Sequence, residues 1–348
     1  DGTKAYVTWH SNRQAKNPAE VWGGAVDVIE TSSLNLKVTA VSDLLKFNHV
    51  LYTDNKLFLA STSATDAGTI GRIALTNDEF ANEANVDIIG FPGVSVNAVA
   101  KNGNELIAVS GYKGCYGTFA PAAVAKPYYY GDDAEKQAEN VVTAYGYDKE
   151  FGGKYVTTDE HGDVYVLHNT TSAQITKIGG ATVDLGVGLV SAVKVAETYD
   201  PITKDWIASS AEKDYYGKHV FAVKDGIAYV ACGKNGLVVY DLKNNKRLCE
   251  DNKLIKAKTT GVCAEGKYVY LATEIGLQVY NWEGDIFNRH AFEVATYDEA
   301  TGKPTSDESP VAGTEERHSP NFVAVNPATE EIYVAYGQSG VLVYKLVE

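Results

Sequence analysis

Two histidines, a lysine and two amide side chains occupy the same place in a short stretch of chain that recurs along this sequence. Aligning the recurring stretches brings His49, Asn97, Lys154, His219, Gly261 and Asn321 into register, and five of those six residues are polar. Gathered at one opening, imidazole, ammonium and amide groups would supply donors and acceptors for an anion or a sugar. A metal ion is the poorest occupant, because no carboxylate shares the set. The alternative use of the same groups is internal, each side chain bonding the backbone of the neighbouring repeat where a strand begins.

A second candidate surface is aromatic. Tyr112 and Tyr116 are followed by Pro127-Tyr128-Tyr129-Tyr130-Gly131-Asp132-Asp133, then by Tyr145 and Tyr147. Exposed aromatic rings beside carboxylates stack on sugar rings or anchor a protein partner. Trp22, in the segment from Ser11 to Gly23, joins Tyr128, Tyr129 and Tyr130 if its loop projects from the same face. The alternative is a covering flap whose tyrosines pack on outer strands. Residues 133 to 142 carry a short helix signal with Asp132 or Asp133 as its cap.

Thr158-Asp159-Glu160-His161-Gly162-Asp163 sets acidic groups around a glycine. It lacks the ligand series of a calcium loop and reads as a strand-connecting turn. Tyr199-Asp200-Pro201-Ile202-Thr203-Lys204 and Tyr297-Asp298-Glu299-Ala300-Thr301-Gly302-Lys303 read as polar hairpin tips in the blade insertions. Cys115, Cys232, Cys249 and Cys263 show neither a CxxC pair nor zinc-ligand spacing, so they read as buried thiols, with one bridge left open. The chain has no GxSxG elbow, no HExxH, no P-loop and no GxGxxG, and nothing in it calls for a cofactor.

The elements that position these groups come from a repeat. Lys218 to Val223, Ile227 to Ala231 and Gly236 to Leu242 form a unit of three short strands punctuated by Gly, Asp and Asn. The unit recurs at Thr260 to Asn281 and at Asn321 to Leu346, with weaker copies from Asn48, Asn97 and Lys154. Ala5-Tyr6-Val7-Thr8 and Gly24 to Ile29 match the second and third strands of the unit, which makes seven copies. Tyr6, Phe58, Ile107, Tyr165, Tyr229, Tyr270 and Tyr333 are equivalent, at intervals of 41 to 64 residues. The shortest interval suits one four-stranded blade of a propeller, and the longer ones carry loop insertions. The expectation is an all-β, seven-bladed β-propeller with loop insertions, a single domain over residues 1–348. A solenoid or sandwich is the alternative. Each terminal copy lacks one strand.

Composition limits the partners. The 348 residues carry a formal charge of −14, so a nucleic-acid backbone is repelled. No apolar run approaches the roughly 20 residues of a membrane-spanning helix. The chain begins at Asp1 and contains no methionine, which reads as processing or trimming with any export signal upstream.

Ala5-Tyr6-Val7-Thr8-Trp9 followed by Val26-Asp27-Val28-Ile29-Glu30-Thr31 resembles the YVTN-type propeller repeat. Gly236 to Leu242 resembles the LVIVD-type repeat of bacterial surface proteins. The resemblance weakens in the middle three copies, and Trp9-His10 stands where the YVTN pattern has Asn. It implies a propeller of the bacterial cell envelope, similar to surface lipoproteins of Bacteroidetes. Such a protein would be exported, periplasmic or cell-surface, with a lipid anchor possible upstream of Asp1. The expected function is a monomeric, non-catalytic scaffold binding a glycan or protein partner. The alternative is a lactonase-like hydrolase using His49 and His219.

Overall fold

A computed structural model describes residues 2–10, 24–42, 45–53, 55–63, 68–76, 79–80, 87–91, 96–102, 105–110, 128–129, 153–169, 172–189, 197–199, 206–208, 219–233, 235–251, 259–273, 276–283, 286–292, 297–298, 303–304, 320–336 and 340–346. Among the described residues every regular element is a strand, and the strands form seven antiparallel sheets in sequence order plus two hairpins.

Sheet one holds β1 (Lys4–His10), β2 (Gly24–Glu30) and β3 (Asn35–Ser42). Sheet two holds β4 (Leu45–Thr53), β5 (Lys56–Ser63) and β6 (Gly68–Thr76), with β7 (Glu79–Phe80) and β8 (Asp87–Phe91) both paired to β6. Sheet three is β9 (Val96–Asn102), β10 (Glu105–Ser110) and β11 (Tyr128–Tyr129). Sheet four runs β12 (Gly153–Thr158), β13 (Val164–Asn169), β14 (Ala173–Lys177), β15 (Thr182–Asp184). A hairpin of β16 (Glu197–Tyr199) and β17 (Trp206–Ala208) precedes sheet five, which is β18 (Phe221–Lys224), β19 (Ile227–Ala231), β20 (Leu237–Asp241) and β21 (Lys246–Asp251). Sheet six is β22 (Thr259–Glu265), β23 (Tyr268–Thr273), β24 (Gly276–Glu283) and β25 (Ile286–Phe292). The hairpin of β26 (Tyr297–Asp298) and β27 (Lys303–Pro304) leads to sheet seven, β28 (Phe322–Val325), β29 (Glu331–Ala335) and β30 (Val341–Lys345). The two hairpins fall where the sequence places polar tips, pairing Tyr199 with Trp206 and Asp298 with Lys303.

The chain divides into two compact units, Asp1–Thr170 with Gln174–Thr182, and Thr171–Ala173 with Val183–Glu348. In the first unit the two-residue period of the strands sends alternate side chains to opposite faces. Leu57 and Leu59 of β5 join Val26, Phe47, Tyr6 and Val50 on one side. Phe58 and Ala60 of the same strand join Val96, Val99, Leu106 and Ala108 on the other. Sheet two is therefore apolar on both faces, clasped between sheets one and three. Burying a side chain such as Phe58 contributes about 2–3 kcal/mol. In the second unit Tyr270, Ala272 and Val279 of sheet six pack on Val323, Ile332 and Val334 of sheet seven.

Sheet one packs on sheet two through β1 and β4. Tyr6, early in β1, stacks on Tyr52, next to last in β4, with ring centroids 5.3 Å apart and planes at 16°. Tyr270 of β23 likewise shares a core cluster with Val325 at the end of β28. Among the described residues, sheets one and seven each have three strands.

Candidate functional site

The polar set at the strand beginnings sits on a recurring backbone irregularity. In the pairing of β4 with β5, Phe47 faces Ser61 and His49 faces Ala60, so Asn48 is passed over. Asn97 is passed over between β9 and β10, Lys154 between β12 and β13, and Thr260 between β22 and β23. Each is a β-bulge, where one extra residue on the first strand turns a side chain out of the pleat.

That displacement gives the side chains a common target. The Asn48 amide donates to the Val96 carbonyl at 2.8 Å, and the Asn97 amide donates to the Gly153 carbonyl at 2.9 Å. Thr260 donates its hydroxyl to the Pro320 carbonyl at 2.5 Å. In all three cases the acceptor is the residue just before the equivalent position of the next sheet. Each bond satisfies a carbonyl that a first strand, with no neighbour on its open side, would leave unpaired.

His219 belongs to the same position. Its Nδ1 lies 3.0 Å from the Ala231 carbonyl, as the Thr260 hydroxyl lies 3.2 Å from that of Ala272. His219 is buried, and so is Lys154, whereas Asn321 is exposed and its backbone N–H donates to Ala335 at 2.8 Å.

The register differs from the sequence alignment at two places. His49 and Gly261 each stand one residue beyond the bulge, and Asn48 and Thr260 take their places in the polar set. A signal for this was present, since the residue two after the bulge is valine in Asn48-His49-Val50, Asn97-Ala98-Val99, Lys154-Tyr155-Val156, Thr260-Gly261-Val262 and Asn321-Phe322-Val323. Gly261 answers to close approach: a Cβ there would lie 3.1 Å from the Asn321 carbonyl oxygen and from Phe322 Cα.

His49 makes a different contact. Its Nδ1 accepts the Val99 N–H at 3.4 Å, which fixes the proton on Nε2. Its ring meets Tyr155 of β12 edge to face, with centroids 5.4 Å apart. His49, Val99 and Tyr155 thus join the first strands of three successive sheets.

The sequence reading missed His168, at the end of β13 opposite Gly153. It is 6% exposed, its Nε2 has no hydrogen-bond partner among the described residues, and desolvation lowers its pKa to about 4. Its equivalents in sheets two and six are the small hydroxyl residues Ser61 and Thr273, both fully buried. Matching the residue opposite the strand beginning in each copy would have exposed it.

Of the aromatic set, Tyr128 and Tyr129 form β11, facing Leu106 and Glu105 of β10. They are the third strand of sheet three. Tyr130, Trp22, Tyr112, Tyr116, Tyr145, Tyr147, Cys115 and the 133–142 helix signal lie outside the described residues.

The acidic segment is a self-contained turn. Asp159 Oδ1 accepts the N–H of His161 and of Asp163, each at 2.9 Å, and Oδ2 accepts the Tyr165 hydroxyl at 3.2 Å. Asp163 pairs with Lys177. Burial, then the Asp159 carboxylate, pushes the Tyr165 phenol up to about 12. Cys263 is a thiol, and desolvation pushes it up to about 11. Among the described residues no helix is long and apolar enough to cross a membrane.

No protein-family model matches the chain, and no curated protein matches it. Solved structures do. A putative 6-phosphogluconolactonase from Bacteroides uniformis aligns at TM-score 0.54 and 11% identity, covering 99% of this chain and 93% of that one. The C-terminal WD40 domain of Sif2 aligns at TM-score 0.52 and 9% identity, covering 100% and 93%. A chain of the mitotic checkpoint complex aligns at TM-score 0.56 and 9% identity, covering 93% and 84%. These neighbours include a putative 6-phosphogluconolactonase and a WD40 domain, so the likeness speaks to architecture alone. Together with the seven sheets, it makes this chain an all-β protein of the seven-bladed β-propeller fold.

Proposed function

We propose that this propeller is a non-catalytic scaffold of the bacterial cell envelope, of the YVTN and LVIVD repeat type, which binds a protein or glycan partner. One observation carries the reading: the side chains of Asn48, Asn97 and Thr260 are spent on backbone carbonyls of the adjacent blade. Groups that could have formed a reactive polar cluster serve the frame instead. Recognition then falls to the segment that follows β10, in which Tyr128 and Tyr129 form the two-residue third strand of blade three, a place in the sheet and not in a loop insertion, with Tyr130 next in sequence. Rigid aromatic anchors contribute large contact area at small entropic cost. Export and lipid anchoring belong to the same proposal, and fractionation of the native envelope with fatty-acid labelling tests them.

The binding role is tested by cross-linking in the native envelope and by a glycan array, using the parent protein and a Tyr128→Ala, Tyr129→Ala, Tyr130→Ala triple variant. The expected result is an unchanged far-ultraviolet spectrum with loss of capture. Undiminished capture removes that segment from the site. Turnover of a lactone that disappears in His49→Ala or His219→Ala overturns the non-catalytic reading.

A further inference from the structure

Blade four ends its second strand differently from its counterparts. His168 stands opposite Gly153, where sheet two has Ser61 opposite Phe47 and sheet six has Thr273 opposite Thr259. Ser61 and Thr273 are fully buried hydroxyl residues, which stay neutral at any ordinary pH. His168 is almost as closed in, at 6% exposure, but its ring can take a proton. Its Nε2 has no hydrogen-bond partner among the described residues, so an imidazolium there is left uncompensated. The strands around the ring add no counter-charge. β13 lies between β12 and β14 and touches β9, and these three strands carry Lys154, Lys177 and Lys101 and no carboxylate. Lys177 pairs with Asp163 beyond the opposite end of β13, and Lys154 is itself buried next to Gly153.

The pairing makes this end of the sheet easy to open. The bulge at Lys154 falls between Gly153 and Tyr155, so the pair of Gly153 with His168 is cut off from the continuous ladder that runs from Tyr155 with Leu167 to Thr158 with Val164. Gly153 also accepts the Asn97 amide at 2.9 Å, the bond that ties the first strand of blade three to that of blade four. Bringing the ring to water by the shortest route frays the end pair and displaces that acceptor.

We infer that protonation of His168 parts it from Gly153 and breaks the Asn97 bond, so that acid opens the contact between blades three and four locally. Desolvation holds the imidazole of the closed form near pKa 4, against about 6.5 once the strand end is open and the ring is in water. The proton therefore favours the opened form: the contact is fully held above pH 6.5 and is lost progressively as the pH falls towards 4. From pH 7.5 to pH 5 the ratio of opened to closed contact rises about 30-fold. Tyr130 lies in the chain between Tyr129 of blade three and Gly153 of blade four, so the same opening loosens one end of the proposed recognition segment. That consequence rests on the proposed function; the opening itself does not.

Hydrogen exchange of the whole chain, read as protection factors at pH 7.5, 6 and 5, tests this. Amides of residues 153–155 and 167–168 should lose about 30-fold in protection at pH 5. Amides at the matching places of sheet two, residues 47–49 and 60–61, and of sheet six, residues 259–261 and 272–273, should keep theirs. His168→Leu should flatten the response of sheet four. If that variant fails to fold, a proton NMR titration of the His168 ring in the parent decides, with a midpoint near pH 4 expected. A midpoint near 6.5, constant protection in sheet four, equal losses in sheets two and six, or a loss that persists in His168→Leu would each overturn the inference. No partner enters these measurements, so failure of capture by the tyrosine segment sinks the proposed function and leaves this result unaffected.

Discussion

His168→Leu separates a buried neutral imidazole from an ordinary surface histidine. The ring is 6% exposed, Nε2 lacks a partner among the described residues, and its pKa is held near 4 by desolvation. In the unfolded chain the same imidazole takes a proton near pH 6.5. Between those values the unfolded state binds the proton and the folded state refuses it, so stability present above pH 6.5 is lost as the pH falls towards 4. The linkage amounts to about 2 kcal/mol at pH 5 and about 3 kcal/mol at pH 4, with almost nothing lost at pH 7.5. Leucine has similar bulk, does not titrate and removes the unsatisfied nitrogen, so at pH 7.5 the substitution should be neutral or stabilising by about 1 kcal/mol. Urea midpoints for both proteins at pH 7.5, 6 and 5 measure the difference. The expected result is a gap in favour of the variant that widens by about 2 kcal/mol between pH 7.5 and pH 5. Parallel curves would show that His168 accepts a proton in the folded state as easily as in the unfolded one.

The inter-blade bonds make further predictions. Asn97→Ala should cost about 1–2 kcal/mol, because the Gly153 carbonyl loses its donor, and exchange of amides in β12 should rise before global unfolding. Thr260→Val keeps the shape and deletes the hydroxyl shared between Ala272 and Pro320, with a similar loss in denaturant midpoint. Gly261→Ala should cost about 1–3 kcal/mol, since the new Cβ meets backbone of blade seven at 3.1 Å; a change within experimental error would mean that β22 and β28 separate freely.

Much of the architecture was legible because a repeat betrays itself by periodicity. The apolar alternation of Phe58 with Leu57 and Leu59, and the glycine before each Leu/Val-rich third strand, follow from strand geometry and left-handed backbone, both local properties. The identity of the polar set was half legible. The strand beginnings were found, but a bulge inserts one residue into the pairing without any change in side-chain pattern, so His49 was aligned where Asn48 belongs and Gly261 where Thr260 belongs.

The composition and spacing of this chain determined an all-β fold of seven recurring units, because each unit's turns and two-residue alternation are encoded within some forty residues. Tertiary structure alone decided how the polar groups are used. Asn48, Asn97 and Thr260 find their acceptors 48 to 60 residues away on the next blade. The isolation of His168 depends likewise on which strands lie alongside. A hydrogen bond or a desolvated ring is a property of two surfaces brought together, and a linear string specifies that meeting only through the fold.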